Sequence, residues 1–229
     1  MNKIYPNAGA ALFDLFDGAS IMSGGFGLSG LAEHAISAIK DSGKKELTII
    51  SNNCGNQHQG LAILLQSGQV KKVICSYVGG NPDLEQQMLA GRLDVELNPQ
   101  GTFAERIRAG GAGIGGFFTP TGVGTVVAEG KEQRLLDGRQ MIFEKALKAD
   151  YAIIRAKTAD AYGNLRFYRT SRNFSPIMAM AASICVVEAE EIVPVGTLDP
   201  DDIHLPGIFV KRLFEAKDHQ NVIEHRMVS

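Results

Sequence analysis

Residues 17–32 read Asp-Gly-Ala-Ser-Ile-Met-Ser-Gly-Gly-Phe-Gly-Leu-Ser-Gly-Leu-Ala, an apolar run that enters a glycine turn and then a helix-like stretch. Glycines let a backbone approach a ligand closely, and amides at a helix N-terminus add partial positive charge. Such a turn can therefore face an anion or a carbonyl oxygen. Residues 25–30 also spell G-x-G-x-x-G. Dinucleotide binding would want an Asp or Glu about 20 residues on, at the end of the next strand, to take the ribose hydroxyls. The sequence offers Ser51-Asn52-Asn53 there, so the acid is missing. A third reading gives the glycines a packing role, in which they let strand and helix approach one another.

Other groups with chemical potential are scattered. Asn52 and Asn53 can orient a ligand through their amides, and Asn at a strand-to-helix turn is equally at home as a helix cap. Arg106, Arg108 and Arg172 can pair with a carboxylate bidentately, although such arginines more often form solvated or interchain salt bridges. The histidines at 34, 58, 204, 219 and 225 have no metal-ligand spacing, so no metal is expected. Cys54, Cys75 and Cys185 are odd in number and far apart, which suggests buried free thiols rather than a disulfide framework or a zinc site.

The elements that must position these groups announce themselves as short apolar runs, partly β-branched, at 19–23, 47–51, 70–76, 151–156, 184–188 and 192–195. Such runs read as strands buried on both faces. Between them lie helix-like stretches such as 31–40, where Leu31, Ala35, Ile36 and Ile39 share one face and Glu33, His34 and Lys40 the other. This alternation predicts an α/β fold, a mostly parallel sheet with helices on both faces, whose ligands sit beyond the carboxyl ends of the strands. Three segments fall there: the glycine turn, the turn at Asn52, and the loop at Pro99-Gln100-Gly101. Residues 110–125 are rich in Gly and Pro and read as a long shaped loop, while the polar end from about Lys217 reads as frayed.

A chain of 229 residues with 45% hydrophobic and 21% charged residues can fill a sizeable core, and one domain over 1–229 is expected. Its formal net charge of -2 gives no electrostatic reason to expect nucleic acid or an anionic membrane as partner. No run approaches the roughly 18 apolar residues of a membrane span, and residues 1–20 carry Asp14 and Asp17 without a secretory pattern. The expectation is a cytoplasmic protein.

Residues 17–32 resemble the first signature of family I CoA-transferases, with Gly24-Gly25-Phe26 and Gly30 in place. Ser23 stands where an apolar residue is usual, and Ala32 replaces a proline. The likeness continues through Ser51-Asn52-Asn53, Ser76-Tyr77-Val78-Gly79, residues 96–102 and 104–113, Thr119-Pro120-Thr121-Gly122, Arg172-Asn173-Phe174, and Asp202-Ile203-His204-Leu205-Pro206. It is nearest to the A subunits that act on succinyl-CoA and 3-oxoacids such as acetoacetate.

That resemblance implies a three-layer α/β/α fold and an enzyme half. In the family a glutamate of the B subunit, in a Ser-Glu-Asn-Gly-like setting absent here, attacks the thioester. By the same resemblance Gln100 is an oxyanion donor, and Gly24, Gly25, Phe26, Gly27, Leu28, Ser29 and Gly30 form a CoA-binding element. It further implies a B-subunit partner in an α2β2 assembly, and CoA as a substrate moiety with no permanently bound cofactor. An A subunit of 3-oxoadipate or acetate/butyrate type is the nearest alternative, and a CoA-binding regulatory protein without chemistry is another.

Overall fold

The computed structural model describes residues 2–56 and 58–220. In chain order the elements are α1 (Ala8–Ala11), β1 (Ser20–Ser23), α2 (Glu33–Ser42), β2 (Leu47–Ile50), α3 (Ala62–Gln66), β3 (Val70–Cys75), α4 (Pro82–Leu89), β4 (Asp94–Leu97) and α5 (Gln100–Gly111). They are followed by β5 (Gly116–Thr119), β6 (Gln133–Leu136), β7 (Arg139–Lys145), β8 (Ala149–Asp160), β9 (Leu165–Arg166), α6 (Ser175–Ala181), β10 (Ala182–Val193) and β11 (Arg212–Glu215).

The main sheet runs β11-β10-β8-β1-β2-β3-β4, with every neighbour parallel, and β9 pairs antiparallel with β8. Strands alternate their side chains between two cores. Ile21, Ile49 and Ile153 join the layer of α1 to α4, whereas Met22, Ile50 and Ile154 join the layer of α5 and α6. Burial on both faces is why these strands read as unbroken apolar runs. The strand order diverges between β1 and β8, which makes that crevice the topological switch point where open α/β sheets take ligands.

Local signals set the helix ends. Asn81 caps α4 by accepting from the Leu84 amide at 3.1 Å, with Pro82 at the first helical position. Gly43, at φ 66°, ends α2 in the left-handed region. Helix α2 has no cap of its own, for its N-cap residue is Ala32. The carboxylate of Glu188, from β10, takes the amides of His34 at 2.9 Å and Ala35 at 3.1 Å. A distant side chain thus replaces a local cap.

Three expectations need correction. Residues 110–125 are not one loop: α5 continues to Gly111, and Gly116–Thr119 forms β5, paired with β7 in a three-stranded antiparallel sheet β5-β7-β6. A Cβ at residue 116 would strike the Phe143 ring and the Glu144 carbonyl, so the glycine that suggested a loop is what lets the strands close. The run at 184–188 and the first two residues of the run at 192–195 belong to the one strand β10, whose bounds are Ala182–Val193. Of the polar end, residues 217–220 pack against the body, with His219 3.0 Å from Glu188 and the Gln220 amide 2.9 Å from Glu33; Val222, Ile223, His225, Met227 and Val228 lie outside the described residues.

The start of the chain is fastened to the sheet edge. Ile4 bridges to Leu213, and the Arg212 guanidinium grips Asp14 at 2.6 and 2.5 Å while Tyr151 Oη donates to the same carboxylate at 2.9 Å. The hydrogen bond from Arg212 is the main reason the Asp14 carboxyl is held below its usual range. A lowered folded pKa means stability that is present above the ordinary carboxylate value and lost as pH falls through the lowered one. Asp14→Asn is therefore expected to destabilise at pH 7, with the gap to the parent closing as pH falls below the ordinary carboxylate range; urea unfolding of both proteins at several pH values measures it, and a gap independent of pH would contradict the assignment.

Candidate active site

Four turns meet at the carboxyl edge of the sheet, after β1, β2, β3 and β4, and Asn52 joins them. Its side chain, 4% exposed, accepts from the Gly27 amide at 3.2 Å and donates to Gln100 Oε1 at 3.1 Å. Ser76 Oγ lies 3.3 Å from the same Oε1 and 3.1 Å from the Asn52 carbonyl, and its single proton serves one of them at a time. The Asn52 carbonyl also accepts from the Ser76 and Tyr77 amides, at 3.0 and 3.1 Å.

This chain of bonds fixes the direction of the Gln100 amide. A backbone N–H can only donate, so the atom of Asn52 facing Gly27 is its oxygen. Its NH2 then faces Gln100 and must meet an oxygen. The Gln100 NH2 is left pointing away from the cluster, on an exposed side chain and with no hydrogen bond among the described residues. A neutral donor held by its own carbonyl is suited to an oxygen that gains negative charge during a reaction. Gln100 is also the first residue of α5. Asn53 is buried, and its side chain takes no part in the network.

The glycine turn uses most of its amides internally. The Gly24 amide donates to Ile153 O at 3.0 Å, and Phe26 and Ser29 exchange two bonds of 3.0 Å. The Gly25 amide donates to Asn173 Oδ1 at 2.9 Å. The turn is therefore not an open nest of donors for an anion. At Gly30, with φ 77°, a Cβ would come within 2.6 Å of the Ser171 carbonyl, so the close-approach reading of the glycines is realised there. What the turn offers outward is the Phe26 ring, 48% exposed and stacked 6.5 Å from Phe174.

Asn173 is the second clamp on this turn. Besides Gly25 its Oδ1 accepts from the Phe174 amide at 2.7 Å, and its Nδ2 donates to Ser171 O at 2.9 Å and Ser29 O at 3.3 Å. These bonds hold it at φ 30°, a region an L residue enters only when its surroundings insist. In the sequence Asn173 stands out only as part of a motif block, and Ser76 and Glu188 carry no evident role. A carboxylate inside the apolar run of β10 was a usable signal, since a charge buried on both faces needs partners; the long-range contacts of Ser76 and Asn173 had none.

The arginines separate. Arg106 is committed to structure, donating to Lys145 O at 2.7 Å, Glu96 Oε1 at 2.7 Å and Asn98 Oδ1 at 2.5 Å. Arg108 pairs with Glu105 at 2.7 Å, and this bond is the main reason the Glu105 carboxyl sits below its usual range. Arg172 has no ion pair among the described residues and lines a cleft of about 510 Å³ with Arg169, Thr170, Asn173 and His204. Burial first, and then the charge of Arg172, hold the His204 pKa down.

No thiol serves as a nucleophile in this arrangement. All three cysteines are buried; burial pushes Cys75 up to about 11 and Cys185 up to about 12, with Cys54 higher still. The partners hydrogen-bonded to Gln100 are an amide and a hydroxyl, neither of them a nucleophilic carboxylate. The histidines, unremarkable in spacing, are not all isolated: His34 and His219 flank Glu188.

A family model described as Coenzyme A transferase matches residues 6–216. The chain is 53% identical over 224 residues to the A subunit of the succinyl-CoA:3-ketoacid coenzyme A transferase of Helicobacter pylori (strain J99), covering 98% of this chain and 97% of that one. It is 46% identical over 215 residues to the A subunit of the 3-oxoadipate CoA-transferase of Pseudomonas putida, covering 93% of each. Among solved structures it is similar in fold to the acyl-CoA transferase YdiF of Escherichia coli O157:H7, in a thioester complex with CoA, at a TM-score of 0.87 and 23% identity, covering 96% of this chain and 48% of that one.

Asn52→Ala leaves the Gly27 amide and the Gln100 carbonyl without their shared partner. The expected cost is about 1–3 kcal/mol of folding stability, read as a lower urea midpoint at unchanged slope; a midpoint equal to the parent's would show that Asn52 does not hold the turns together.

Proposed function

This chain belongs to the coenzyme A transferase family, and from that premise we propose that it is the A subunit of an enzyme moving CoA between succinyl-CoA and a 3-oxoacid such as acetoacetate. The proposal takes residues 1–229 as one domain that works in the cytoplasm with a B subunit, as α2β2, in ketone-body metabolism. CoA enters as a substrate moiety, and no cofactor is bound permanently.

The observation that carries this reading is the outward-facing amide of Gln100, fixed through Asn52 by the Gly27 amide. By the family resemblance a B-subunit glutamate attacks the thioester carbonyl, the C–S bond breaks, and an acyl-glutamyl anhydride and CoA thiolate result. The thiolate then attacks the glutamyl carbonyl and the first carboxylate leaves, giving an enzyme thioester. Each addition places negative charge on a carbonyl oxygen. Gln100 Nε2 is the donor this chain supplies to that oxygen, pre-aimed so that little reorganisation is needed as charge develops.

The half-site needs a cover. Phe26, Tyr77 and Leu97 are 48%, 57% and 53% exposed along the same edge, an apolar rim suited to a subunit that brings the nucleophile. The stacked Phe26 face suits the apolar part of the pantetheine arm better than a phosphate, because the amides of residues 24–27 are engaged. Binding energy gathered there from a non-reacting part of the substrate can lower the barrier at the thioester. Arg172 supplies a guanidinium for a free substrate carboxylate.

The 46% identity to a 3-oxoadipate enzyme subunit keeps that acid as the second reading for substrate. A regulatory role without chemistry fits less well, since the Gln100 amide is left aimed outward with no hydrogen bond among the described residues, as an oxyanion donor would be. Transfer of CoA from succinyl-CoA to acetoacetate and to 3-oxoadipate is measured for this chain alone, for a B chain alone and for both co-expressed. Activity is expected only in the mixture, and turnover by this chain alone would overturn the assignment of the nucleophile. In the mixture Gln100→Ala is expected to lower kcat by about 10² to 10³ with co-purification unchanged; an unaltered kcat would remove Gln100 from the mechanism.

A further inference from the structure

Glu188 is fully buried in β10, where an ionised carboxylate is costly unless its lone pairs are matched. One oxygen, Oε2, is matched by the His34 and Ala35 amides that open α2. The other, Oε1, lies 3.1 Å from His34 Nδ1 and 3.0 Å from His219 Nδ1. Arg155, in register with Glu188 on the neighbouring strand, does not serve it; its guanidinium goes to Glu190 at 2.6 Å and Glu33 at 3.8 Å. Lys217 turns to Glu215 at 3.4 Å.

The His219 side chain is 3% exposed, yet neither of its ring nitrogens makes an aligned hydrogen bond among the described residues. The two imidazoles meet edge to face with centroids 5.2 Å apart. A buried ring with two unsatisfied nitrogens, aimed at a carboxylate that another ring also faces, is an arrangement missing a central partner. One donor atom from each of the three residues lies within 4.8 Å of the others.

We propose that His34, Glu188 and His219 form a binding site for a divalent transition metal of the zinc class. Bonds of about 2.0–2.1 Å at the tetrahedral angle set ligand atoms about 3.3 Å apart, so the 3.0 and 3.1 Å separations need open by only a few tenths of an ångström. Two imidazoles and one carboxylate leave a fourth position for water. Outer contacts are already built, because Glu188 Oε2 is fixed by two backbone amides that hold Oε1 in place as a single ligand atom. Access is available from two open clefts of about 350 and 400 Å³, both lined by His34 and Asp218. A metal here would staple residues 217–220 to the start of α2, the helix into which the glycine turn runs.

The test uses the untagged full chain, stripped with a chelator, dialysed and titrated with Zn²⁺ by calorimetry, with thermal unfolding as a second readout. One Zn²⁺ per chain is expected. His219→Ala and His34→Ala should each weaken binding by more than about 10-fold, and free Zn²⁺ at 100 times Kd should raise the Tm of the parent by about 5–10 °C but not that of His219→Ala. Glu188 is left intact because its loss uncaps α2. Equal Zn²⁺ binding by the parent and both variants, or an unmoved parent Tm at saturating Zn²⁺, would overturn the site and leave the three residues as a proton-sharing cluster.

Discussion

A sharp glycine turn between a buried strand and a helix leaves backbone amides that water cannot reach, and the structure around this turn is organised by the need to satisfy them. Three side chains from three other segments answer. Asn173 takes the Gly25 amide, Asn52 takes Gly27, and Glu188 takes the first two free amides of α2. Asn173 and Asn52 hold their segments against the turn at the carboxyl end of β1, and Glu188 ties β10 to the start of α2. Glycine is needed at 25 and 30, both at positive φ, because a Cβ would meet the Leu31 side chain at the first and the Ser171 carbonyl at the second.

Satisfying the amides also determines the chemistry. Once Asn52 has turned its oxygen to Gly27, its NH2 faces the Gln100 carbonyl at 3.1 Å and the Ser76 hydroxyl at 3.3 Å. Polar groups at low dielectric orient one another strongly along such a chain. The outward NH2 of Gln100 is thus set by a peptide bond at the far end of the network, in a different loop. A neutral donor pre-aimed in this way is suited to an oxygen that gains negative charge, the role proposed for it above. The same network contains no carboxylate, and exposed Phe26, Tyr77 and Leu97 lie along the same edge.

Charged groups divide in the same way between holding the fold and facing a ligand. Arg106 is committed to Glu96 and Asn98 beneath α5, and Arg212 to Asp14 at the sheet edge, whereas Arg172 lines the cleft beside the Asn173 clamp. Buried ionic groups rarely add much net stability, but they fix where neighbouring elements lie. Glu188 does so twice, by capping α2 and by drawing His219 inward.

The amino-acid sequence by itself determined the class of fold and pointed to the carboxyl edge of the sheet as the candidate site. Apolar runs without alternation require strands buried on both faces, and hence the α/β layering; glycine and asparagine turns after those runs mark the carboxyl edge. Its motifs also carried the likeness that singled out Gln100. Residues 116–119 and 217–220 were misread, because glycine and polar composition indicate loops only on average, and pairing with β7 or packing against Glu188 overrides that tendency. Tertiary structure alone decided which way the Gln100 amide points, that Asn173 and Ser76 belong to the site, and that His34 and His219 share one carboxylate across 185 positions of sequence. Those facts depend on hydrogen bonds and contacts between segments far apart in the chain, and local residue patterns carry no trace of partners that only the folded sheet brings within 3.0 Å.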